Sequence, residues 1–130
     1  MTKRTFARLG VVLLIALTVV QGKGRWEYLG EANIDGMVDH DMIHVGRHEG
    51  TFRAIQIKVE KGPIEFQRVI VHYGNGAGSP IELRHRIPAG GQTRVIDLPG
   101  DRRVITGVEF FYSKGNWASR KPKVRLFGMK

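Results

Sequence analysis

The sequence predicts an all-β chain: a single antiparallel β-sandwich of about eight strands, with a jelly-roll order among the topologies that fit, preceded by an N-terminal signal helix. Three observations lead there. After Gly22 no stretch keeps a 3.6-residue apolar period over three turns. What recurs is alternation of period two, the mark of a strand with one dry and one wet face. Glycine and proline interrupt that alternation at the regular spacing of an antiparallel sandwich or barrel.

The elements follow in order. "MTKRTFAR" carries Lys3, Arg4 and Arg8 and no acid, and "LGVVLLIALTVV" is uncharged. A basic start, a short apolar run and small residues near Gly22 make a secretory signal, too short for a spanning helix of roughly 20 residues. Residues 1–22 are therefore expected to be a signal peptide and 23–130 the folded domain, with retention as an uncleaved anchor the alternative. "WEYLG" and "DMIHV" are the first two strands. In "FRAIQIKVE", Ile55, Ile57 and Val59 alternate with Gln56, Lys58 and Glu60. "IEFQRVIVHY" starts with Ile64 and Phe66 on one side and continues with Val69, Val71 and Tyr73 on the other. The phase change near Gln67 and Arg68 predicts a bulge, or a strand buried on both faces. "PIELR", "TRVIDL", "RRVITGVEFFY" and "KVRLFG" complete the set. "EKGP", "GNGAGSP", "IPAGGQ", "LPGD" and "SKGN" are the turns between them.

Composition bounds the function. The chain has 21 basic residues against 12 acids, and without Lys3, Arg4 and Arg8 the remaining 18 leave +6 on the domain. Such a surface attracts anionic envelope components. There is no cysteine, which removes thiol catalysis, cysteine-based zinc sites and disulfides. An exported protein resting on its core alone points to the periplasm or the cell exterior of a bacterium.

Each motif is weighed against a plainer reading. Gly74-x-Gly76-x-Gly78 follows a strand, but Pro80 and "IELRHR" come next instead of the helix a phosphate loop needs. A hairpin around Asn75-Gly76, with both central residues at positive φ, fits better. Ser79, Ser113 and Ser119 lie outside any nucleophile elbow, so no catalytic residue is assigned and no cofactor is expected. The basic and aromatic surface is more promising: Arg84, Arg86, Arg102, Arg103, Trp117, Arg120 and Lys121 could together hold a glycan or another anionic group. The plainer reading is that Trp117 closes one end of the core within a solvated basic rim. No nucleic-acid motif is present, and a membrane is expected as partner only through the signal segment.

Three of the five histidines, His40, His44 and His48, stand four residues apart. On a helix they would share a face, but Gly46 and Gly50 break that pattern. On a strand His40 and His44 are about 13 Å apart, too far for one ion, with Asp41, Ile43 and Val45 on the opposite face. His48 falls in the following turn. What remains is the cluster Asp39, His40 and Asp41, which motivates a metal-dependent hydrolase as the alternative function.

The succession "WEYLGEANIDGMVDHDMIHVGRHEGTFRAIQIKV", "VIVHYGNG", "IPAGGQTRVIDLPG" and "RVITGVEFFY" resembles a family of small exported bacterial proteins known only as a domain of unknown function. The resemblance covers nearly all of Trp26 to Gly128 and implies an all-β domain of the cell envelope. It carries over no activity, cofactor or catalytic residue.

Overall fold

The computed structural model describes residues 25–34, 39–113 and 121–130. The expected signal segment, Trp117 and Arg120 lie outside the described residues. Apart from a 3-10 turn at Arg47–Glu49, the elements are strands: β1 (Trp26–Asn33), β2 (His40–His44), β3 (Thr51–Phe52), β4 (Ala54–Glu60), β5 (Ile64–Tyr73), β6 (Gly78–Ile81), β7 (Arg86–Ile87), β8 (Ile96–Asp97), β9 (Arg103–Tyr112) and β10 (Lys123–Met129). They form two antiparallel sheets. One has the order β1-β10-β4-β8; the other runs β2-β9-β5-β6, with β3 added to β9 and β7 to β5. Each of the eight runs expected from alternation holds a strand, and β3 and β7 are two-residue additions.

The alternation decides which side chains meet. Ile55, Ile57 and Val59 of β4 and Val124 and Leu126 of β10 face inward, as do Val69 and Val71 of β5 and Val108 and Phe110 of β9; all are at most 1 % exposed. They belong to one apolar cluster drawn from both sheets. Each such side chain contributes about 1.5–3 kcal/mol by leaving water, so a domain without disulfides rests on this cluster.

The expected phase change in β5 is a bulge. Phe66 pairs with Tyr112 and Arg68 with Phe111, so Gln67 is an extra residue in the ladder. The inward set thereby passes from Ile64 and Phe66 to Val69, Val71 and Tyr73. A second register shift, between Tyr28 and Gly30 of β1, had no counterpart in the alternation. Gly30 has φ 150, and a Cβ there would stand 2.8 Å from Ile43 Cγ2 of β2. Only glycine gives both that backbone and that close approach.

The β5–β6 connection is the expected hairpin: Tyr73 N donates to Ala77 O and Gly76 N to Tyr73 O, at 2.9 and 3.0 Å. Its backbone differs in one respect. Gly76 has φ 90, but Asn75 is not at positive φ; its side-chain Oδ1 instead accepts from Ala77 N at 2.9 Å, an Asx turn. β5 starts beside β7, where Glu65 faces Arg86, and ends at Tyr73 beside the start of β9. At about 3.3 Å per residue these two ends lie roughly 26 Å apart.

Candidate anion-binding cleft

The basic residues singled out in the sequence divide between the two ends of β5. Arg86 lies opposite Glu65 at one end. Arg84 is nearby, its Nε 3.8 Å from Glu82 Oε1, and it lines a depression of about 380 Å³ with Glu65, Phe66 and Gln67. Lys121 is exposed two residues before β10, whose Lys123 pairs with Glu60 at that same end. Arg102 and Arg103 open β9 at the opposite end. The five described residues therefore do not form one face, and Trp117 and Arg120 lie outside the described residues.

The arginines at the far end of β5 make a distinct site. A cleft of about 370 Å³ is lined by Arg47, Thr51, Tyr73, Gly74, Asn75, Arg102, Arg103 and Val104. Strand pairing assembles it. Thr51 of β3 is opposite Val104 of β9, and Gly74 N donates to Val104 O at 2.9 Å, joining the hairpin to β9. Arg47 reaches in from the 3-10 turn and donates from Nη2 to Gly74 O at 3.1 Å. Arg103 donates from Nη1 to Pro99 O at 2.8 Å and lies over Tyr73, its Cζ 3.8 Å from the ring centroid. Such cation–π stacking holds a guanidinium in place without neutralising it. Arg102 has no hydrogen-bonding or ion-pair partner among the described residues.

Two features set this cleft apart. Among the described residues no carboxylate lines it, and none of its three arginines is in an ion pair. On the outer face of the four-stranded sheet, by contrast, Lys123 and Arg125 lie 3.3 and 3.4 Å from Glu31, and Arg125 is also 3.4 Å from Glu60. Second, Tyr73 is 4 % exposed, and its hydroxyl is buried with no hydrogen-bond partner. Buried polar groups are nearly always satisfied, so an orphan hydroxyl on a residue of the cleft wall is unusual. Sequence reading found Arg102 and Arg103 but not Arg47 or Tyr73. Their only sequence signals are a lone arginine in a turn and the last inward residue of β5.

The histidine cluster takes a different form from the one expected. His40 Nδ1 is 3.3 Å from Asp39 Oδ1. Asp41, on the opposite face of β2, accepts at Oδ2 from the Tyr112 hydroxyl at 2.9 Å. Asp39, His40 and Asp41 are thus not brought to one point, because consecutive strand residues face opposite ways. His40 meets other partners across the sheet. It stacks on Phe111 with centroids 5.1 Å apart, and its Nε2 is 3.8 Å from Glu109 Oε2. Glu109 Oε1 lies 3.3 Å from His72 Nε2. Among the described residues no group of three or more His, Cys, Asp or Glu side chains is placed to hold a metal ion.

Comparison with known proteins adds a family and no activity. Neither the curated proteins nor the solved structures contain a significant match to the chain. A family profile described as a domain of unknown function, DUF2541, matches residues 8–128. That match spans almost the whole chain and agrees with the resemblance seen in its strand and turn motifs, and the protein belongs to this family.

Proposed function

We propose that the protein is an exported, non-enzymatic binding module of the cell envelope that captures an anionic ligand, such as a charged glycan, in the cleft of Arg47, Arg102 and Arg103. The observation that carries this reading is the concentration of three guanidiniums around one concave site, with no ion pair to any of them and no lining carboxylate among the described residues. Uncompensated charge beside a low-dielectric wall focuses the field on an incoming anion. Arg is also the side chain suited to bidentate recognition of carboxylate, sulfate and phosphate groups. Export rests on the basic and apolar N-terminus of the sequence.

The scaffold supports the same reading. We take the two sheets as a β-sandwich whose orders, β1-β10-β4-β8 and β2-β9-β5-β6, are those of a jelly roll, with β3 and β7 as small additions. In that topology consecutive strands repeatedly cross between the sheets, so connecting loops gather at the two ends. The cleft lies in one such gathering of loops. Lectin domains share the architecture, and that likeness is an analogy of fold alone.

An array of anionic and neutral glycans and lipids tests the proposal, with the double variant Arg47→Ala/Arg102→Ala as comparator. Each charge-assisted contact is worth about 1.5–3 kcal/mol, so the double variant should lose at least about a hundredfold in affinity for a retained ligand. Binding should also weaken with added salt. Retention no better than a charge-matched control at physiological salt, or equal retention by the variant, overturns the reading.

A further inference from the structure

We infer that the group seated in this cleft is a phosphomonoester; the inference rests on the anion-binding reading above and narrows its ligand. Charge is the first argument. Arg47, Arg102 and Arg103 bring three positive charges to a cleft with no lining carboxylate among the described residues. A sulfate ester or a carboxylate brings one negative charge, and a phosphodiester also one. A phosphomonoester carries about −1.5 to −2 at pH 7, the closest match among common biological anions of one functional group.

Donor geometry is the second argument. A guanidinium has five N–H donors in a planar fork and no acceptor. Arg47 gives one hydrogen bond to Gly74 O and Arg103 one to Pro99 O, which fixes both groups and leaves their other donors for a ligand. Arg102 adds a third fork. Three forks approaching from the 3-10 turn and the start of β9 suit a tetrahedral group with three terminal oxygens. A planar carboxylate offers only two oxygens, and a sulfate ester, which shares the tetrahedral shape, differs from the phosphomonoester in its lower charge. At about 370 Å³ the cleft falls in the usual range for small-molecule sites, with room for a phosphate and part of the group that bears it.

The phosphomonoester can arrive on a soluble sugar phosphate or on a lipid headgroup, and both present the same terminal oxygens. Calorimetry on the purified chain with glucose 6-phosphate, glucose 6-sulfate and glucuronate separates the anion classes. Sedimentation with phosphatidylcholine vesicles containing phosphatidic acid or phosphatidylglycerol separates a lipid monoester from a lipid diester. The expected result is at least about tenfold tighter binding of a monoester, soluble or in vesicles, than of its sulfate, carboxylate or diester counterpart. That preference should fall about tenfold in Arg47→Lys/Arg102→Lys, which keeps the charge but loses the forks, with an unchanged far-UV spectrum and melting temperature as the folding control. Equal affinity for phosphate and sulfate, or an undiminished preference in the lysine variant, overturns the phosphomonoester assignment and leaves the anion cleft standing. No binding of any anion, or binding unchanged in Arg47→Ala/Arg102→Ala, overturns both.

Discussion

At the scale of single residues, the outer face of the four-stranded sheet shows what a satisfied charge looks like, and so why the cleft stands out. Tyr28 donates from its hydroxyl to Glu31 Oε1 at 2.7 Å, and Lys123 and Arg125 flank the same carboxylate. The Tyr28 hydrogen bond, followed by that of Lys123, holds the Glu31 carboxyl below its ordinary value of 4.5. Conversely the bond to Glu31 raises the Tyr28 phenol above 10.0. The signs fix two pH windows. Glu31 contributes stability that is complete above about pH 4.5 and is lost as pH falls through its lowered value in the fold. Tyr28 contributes stability that is complete below about pH 10 and is lost as pH rises through its raised value. Glu31→Gln should therefore return the Tyr28 titration toward about 10, read as tyrosinate absorbance or the ring resonances of Tyr28. An unshifted Tyr28 titration in that variant would show that Glu31 is not the cause. None of these partnerships was legible in the sequence. Glu31 and Lys123 are 92 positions apart, and only the β1–β10 register makes them neighbours. The same holds for Glu109 between His40 and His72, which lies on a strand the histidine spacing never touched.

At the scale of elements, local pattern reported strands well and their irregularities unevenly. The β5 bulge was legible because it inverts the apolar phase on either side of Gln67. The β1 bulge was not, since "WEYLGEAN" holds too few apolar residues to show a phase. "TRVIDL" reads as a full strand, yet only Ile96–Asp97 pair as one. The reason is Thr93, the one buried polar residue among those described. Its Oγ1 accepts from Ile57 N at 3.1 Å and donates to Arg94 O, while its backbone N donates to Ile57 O at 2.8 Å. A side chain thus stands in for part of the ladder along β4. The prediction at this scale concerns Gly30. In Gly30→Ala the backbone stays at a φ that L side chains rarely adopt, and the new Cβ must displace Ile43 Cγ2 from 2.8 Å. The combined strain and overpacking should cost about 2–4 kcal/mol, measured as a lower midpoint in urea with an unchanged slope. A loss under about 0.5 kcal/mol would mean that β1 slides off its bulge without penalty.

For the whole molecule, the all-β class and the eight main strand runs followed from period and punctuation, because both are local. The division of the basic residues between two ends did not, because it depends on how β5 is laid between β7 and β9. The same long-range pairing governs how the domain holds together. β1 pairs with β10 and β9 with β2 and β5, so neighbours in each sheet come from distant parts of the chain. The inward residues of both sheets form one cluster, and no disulfide ties either sheet separately. Removing one sheet would expose the buried face of the other, at about 25 cal/mol for each Å² of apolar surface uncovered. A half-folded state is thereby strongly disfavoured, and the domain should unfold in a single transition. In a Trp117→Phe background the fluorescence of Trp26 reports the edge of the four-stranded sheet, and far-UV dichroism reports all strands together. Their denaturation curves should coincide, and refolding should take milliseconds to seconds, as for other domains built from non-local strand pairs. Separated midpoints would show that the two sheets share less core than their packed faces indicate.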